Sequence, residues 1–72
     1  MTKKDKILKH LQLYDTITSW EAIQFYGVTR LSAIIFTLRK EGFDIESTRV
    51  EFTDRFGDTS NFARYVFKGK VN

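Results

Sequence analysis

A chain of 72 residues with no cysteine and one histidine has room for a single domain, and no means of stapling it with disulfides or a structural zinc. Its 42% apolar and 15% aromatic content excludes a disordered tail, and a formal charge of +3 permits an anionic partner. No apolar run approaches the roughly 20 residues of a membrane-spanning helix. Met1 to Lys6 lacks the apolar stretch of a secretion signal, so the cytoplasm is the expected compartment.

The first predicted element is a helix over Lys3 to Leu13. Ile7, Leu8 and Leu11 recur on one face, and Thr2 with Asp5 can close the N-terminus. Lys3, Lys6 and His10 fall opposite, so His10 reads as a surface residue; a metal site would need further ligands. Thr16-Ile17-Thr18 is β-branched throughout and reads as a strand stub. Thr18 and Glu21 then have capping-box spacing, which starts a helix of about two turns over Ser19 to Tyr26. Trp20, Phe25 and Tyr26 are assigned to the core, because so short a chain needs its aromatic area inside. Gly27 stops the helix and Val28 is expected to turn inward.

Thr29 is placed to cap a third helix, Arg30 to Glu41, closed by Gly42. Leu31, Ile34, Ile35 and Leu38 form its buried stripe, while Arg30, Ala33, Thr37 and Lys40 lie opposite. Ser32 and Phe36 sit on a flank, with Phe36 either exposed or tucked beneath a sheet. The pattern then changes to period two. Ile45 to Phe52 and Asn61 to Lys68 alternate, and the turn-rich Thr53 to Ser60 joins them as a hairpin with Phe56 at its tip.

The order is helix, strand stub near 16–18, helix, helix, hairpin, an α+β chain. Two helices separated by about three residues with a glycine, followed by a two-stranded ribbon, make a winged helix-turn-helix. The apolar face of the third helix would hold it, leaving its outer face and N-terminus free to meet a major groove and its phosphates. Ile17 to Ile23, Tyr26 to Ala33, Leu38 to Gly42 and Ala63-Arg64-Tyr65 resemble the small winged helix-turn-helix proteins common in bacteriophages and prophages. The resemblance spans nearly the whole chain, 1–72. It implies a winged-helix fold, double-stranded DNA as partner, and a transcriptional or genome-control role in the cytoplasm of a bacterial host cell.

The expected DNA contacts are Thr29, Arg30, Ser32, Ala33, Thr37 and Lys40 on the third helix and Arg64 on the second long strand. Arg30 leads, since arginine reads guanine edges and binds phosphate. The charge map is uneven. Phe43 to Ser60 holds five acidic residues against two arginines, whereas Lys3, Lys4, Lys6 and Lys9 crowd the N-terminus. An acidic wing is repelled by phosphate, so it should contribute little. The alternative function is a protein-interaction module, in which the uncharged middle of the third helix and the acidic wing dock on another protein; a homodimer suits either use. Glycine-rich phosphate loop, nucleophile elbow and paired-histidine motifs are all absent, so neither catalysis, a cofactor, a metal nor a small-molecule ligand is expected.

Overall fold

Two capping boxes decide where the first two helices begin. Thr2 accepts from the Asp5 N–H while the Asp5 carboxylate accepts from Thr2, and Thr18 and Glu21 repeat the exchange. The computed structural model describes residues 1–70. Its elements are α1 (Lys3–Tyr14), β1 (Thr16–Thr18), α2 (Ser19–Tyr26), α3 (Leu31–Lys40), β2 (Phe43–Thr53) and β3 (Thr59–Lys70). Asp15 closes α1 in the left-handed region, with its N–H on Leu11. Gly27, at φ 65°, closes α2 and returns its own N–H to Ile23 and that of Val28 to Ala22.

The strands form one antiparallel sheet in the order β1-β3-β2. Ile17 stands opposite Tyr65 and Ile45 opposite Phe67, with a register shift between Asp44 and Ile45. The helices pack on the face carrying these four side chains. Buried there are Ile7 and Leu11 of α1, Ile17, Ala22, Val28, then Leu31, Ile35 and Leu38 of α3, and Ile45. From Glu46 outward the β2–β3 hairpin is a mostly exposed wing, which gives the molecule a 44 Å long axis.

The chain is therefore α+β with a winged helix-turn-helix arrangement, but four local expectations change. Helix α3 begins at Leu31, with Arg30 in the N-cap position and no side-chain cap, so Thr29 does not serve as one. The wing strands run further than expected, leaving only Asp54 to Asp58 between them. His10 is buried at 4% exposure, because it shares the i, i+3, i+4 face of Ile7 and Leu11. Its Nδ1 lies 2.7 Å from the Tyr26 hydroxyl, which meets its polar requirement. Conversely, Trp20 and Phe25 are 67% and 58% exposed. Only Ala22 of α2 is fully buried, and Trp20 lies about 200° around the helix from it. Tyr26 is half-buried, and Phe36 takes the exposed alternative.

These caps predict unequal responses to the same change. Thr18→Ala should lower stability by about 1 kcal/mol, equivalent to a fall of roughly 4–8 °C in Tm. Thr29→Ala should stay within about 0.5 kcal/mol of the parent. Thermal unfolding followed by circular dichroism separates the two.

Candidate nucleic-acid interface

Helix α3 is anchored by Leu31, Ile35 and Leu38, so its remaining surface is set by what lies between them. Ser32, Ala33, Phe36, Thr37, Arg39 and Lys40 are exposed, as are Thr29 and Arg30 just before the helix. Six of the expected contact residues thus share one continuous surface segment. The seventh, Arg64, does not join it. Tyr65 packs on the helix side of β3, so Arg64 alternates to the opposite sheet face, level with Thr18 and Thr48.

The chemistry of this segment is concentrated at its ends. Arg30 and Lys40 stand about 15 Å apart along the axis, given a rise of about 1.5 Å per residue. Between them Ala33, Phe36 and Thr37 carry no charge, and the Thr37 hydroxyl donates to the Ala33 carbonyl at 3.1 Å. The Lys40 ammonium lies 5.4 Å from the Phe36 ring centroid, a cation–π contact that Lys40 must leave to reach further outward. At the N-terminus α3 lacks the side-chain cap that α1 and α2 both possess. Its first-turn N–H groups therefore have no side-chain acceptor, at the positive end of the helix dipole next to Arg30.

Arg39, not singled out from the sequence, joins the helix to the wing. Its Nε and one terminal nitrogen both donate to the Ile45 carbonyl, at 2.9 and 2.7 Å, beside the irregularity in β2. This fork fixes the wing root against the last turn of α3. The available signal was a basic residue in a helix's last turn immediately before a strand.

The other charges are partly committed. Lys4 pairs with Glu41, and that hydrogen bond, with the attraction between the charges, holds its ammonium above the ordinary value of 10.5. Lys3, Lys6 and Lys9 remain exposed. On the wing, Lys68 lies 3.4 Å from Glu46, and the Asp54 carboxylate accepts from the N–H groups of Phe56 and Asp58 to form the tip. Phe56 projects from that tip at 87% exposure.

Among the described residues no helix is long and apolar enough to cross a membrane, and no three His, Cys, Asp or Glu side chains converge to hold a metal ion. A family model described as a winged helix-turn-helix domain matches residues 2–70. No curated protein and no solved structure matches the chain.

The Arg39 fork yields a stability prediction. Arg39→Ala should cost about 1–2 kcal/mol in urea unfolding, the range for a partly exposed charged donor on a carbonyl. Arg39→Lys should recover only part of that loss, because an ammonium cannot reproduce the paired donors.

Proposed function

The chain belongs to the winged helix-turn-helix domain family, and from that premise we propose that it is a non-catalytic, single-domain binder of duplex DNA. The full span, 1–72, acts as one unit, its last two residues lying outside those described. Helix α3 enters the major groove and the uncapped helix start with Arg30 meets the phosphate or a guanine edge. That juxtaposition is the observation that carries the reading. Thr29 and Ser32 supply hydroxyls beside it, Ala33 allows close approach, and Thr37 and Lys40 extend the contact along the groove. Arg64 contributes a peripheral phosphate contact at most. The biological setting we propose is transcriptional or genome control by a phage or prophage, in the bacterial cytoplasm.

So few cations imply modest affinity. With two to four phosphates engaged, log K should fall against log salt with a slope of about −2 to −4. Two copies on half-sites about 34 Å apart would multiply the contact without changing its chemistry.

A second reading is favoured by the exposed Phe36 and Phe56 together with the acidic wing: a protein-docking module on the same scaffold. Fluorescence anisotropy on random duplexes at low salt decides between them. We expect binding at micromolar concentrations with that salt slope. Arg30→Ala should weaken it roughly tenfold, while Gln12→Ala, a neutral change on the exposed face of α1, leaves it unaltered. No binding at tens of micromolar, about where non-specific association begins, would remove the DNA reading. A nuclease-resistant complex with one protein, lost on Phe36→Ala or Phe56→Ala, would establish the other.

A further inference from the structure

An open cleft of about 550 Å³ lies between the C-terminal half of α1 and α2, lined by His10, Tyr14, Thr16, Glu21, Phe25 and Tyr26. Nothing from α3 or the wing lines it, and its volume falls within the range of small-ligand sites. Around the buried His10 ring stand Tyr14, Phe25 and Tyr26, with centroids 4.8, 6.0 and 5.6 Å away. Phe25 and Tyr26 meet each other at 6.1 Å and 66°. The edge pairing of Tyr26 against His10 and the tilt of Tyr14 set these rings at different inclinations along the same walls.

Glu21 gives this aromatic cleft its sign. One carboxylate oxygen accepts the Thr18 N–H at 2.9 Å, and the residue is half-buried. No lysine or arginine lines the cleft, and among the described residues Glu21 forms no ion pair. Glu21 thus brings a carboxylate without an ion-pair partner among the described residues to a cleft also lined by three aromatic rings, whose faces are themselves electron-rich. The complement of that arrangement is an organic cation.

We propose that this cleft binds an alkylammonium or guanidinium group, from a free amine or from a lysine or arginine side chain of a peptide. Phe25 and Tyr14, both exposed, receive the cation on their rings, Glu21 supplies the counter-charge, and the Thr16 hydroxyl orients it.

The test is an NMR titration of the aromatic protons with choline, with its neutral isostere 3,3-dimethylbutan-1-ol, and with N-acetyl-arginine amide. Choline or the arginine amide should produce saturable shifts at Tyr14, Phe25 and Tyr26 with a millimolar Kd, and the neutral isostere should bind at least about threefold more weakly. Tighter binding of choline identifies a small free alkylammonium as the source; tighter binding of the arginine amide identifies a guanidinium side chain. Glu21→Gln retains the capping-box hydrogen bond while removing the charge, so the fold survives and cation affinity should drop at least about threefold. Phe25→Leu, at an exposed position, should weaken it similarly. Equal binding of choline and its isostere, unchanged affinity in folded Glu21→Gln, or no saturable shift up to about 50 mM of either cation, well above a millimolar Kd, would overturn the proposal.

Discussion

The apolar face of α3, buried through Leu31, Ile35 and Leu38 against α1 and β2, fixes the position of the remaining elements. Among the described residues it closes a core of nine apolar side chains, every one aliphatic. Three short helices and a narrow sheet enclose no more than that, so the larger rings are pushed to the boundary. Phe43, Tyr65 and Phe67 cover the open edge from the sheet, Tyr26 does so from α2, and Trp20, Phe25 and Phe36 remain outside. In a chain of this length the surface-to-volume ratio limits how much aromatic area can be enclosed, however hydrophobic the rings are.

That limit explains which parts of the fold were legible in the sequence. The helix starts at Thr2 and Thr18 and the stop at Gly27 depend on neighbours within a few residues, and local chemistry is what a sequence displays. Burial of His10 and exposure of Trp20 depend on which side of each helix the rest of the molecule covers. The spacing of Ile7, His10 and Leu11 contained the answer for His10, but its polarity argued against it until Tyr26 supplied a partner from another helix. Thr29 had the right chemistry for a cap and the wrong backbone, since the turn delivers Arg30 to that position at φ −116°.

The exposed surface of the candidate interface was legible to a similar depth. Period 3.6 was enough to put Arg30, Ala33, Thr37 and Lys40 on one exposed segment, because the buried stripe of α3 is strongly marked. Arg64 needed the sheet pairing, in which one residue of shift exchanges the two faces. Arg39 needed more still. Its partner is a backbone carbonyl beside an irregularity in β2, and a basic residue in the last helical turn does not by itself name that partner.

The same geometry limits how far the acidic wing tip reaches. The three-stranded part of the sheet ends level with Thr48, opposite Arg64 and through it Thr18. From there to Asp54 the strand runs about 20 Å at about 3.3 Å per residue. The Debye length at physiological salt is about 8 Å, so charge at the tip is screened before it reaches the body. Of the wing carboxylates, Glu46 near the root is paired with Lys68 and Asp54 at the tip accepts backbone N–H groups, while Asp44, Glu51 and Asp58 form no ion pair among the described residues. On α3 itself the charges are Arg30 at the N-cap and Arg39 and Lys40 in the last turn. Charge at the wing tip, adverse when summed along the sequence, acts mainly on whatever approaches the tip itself.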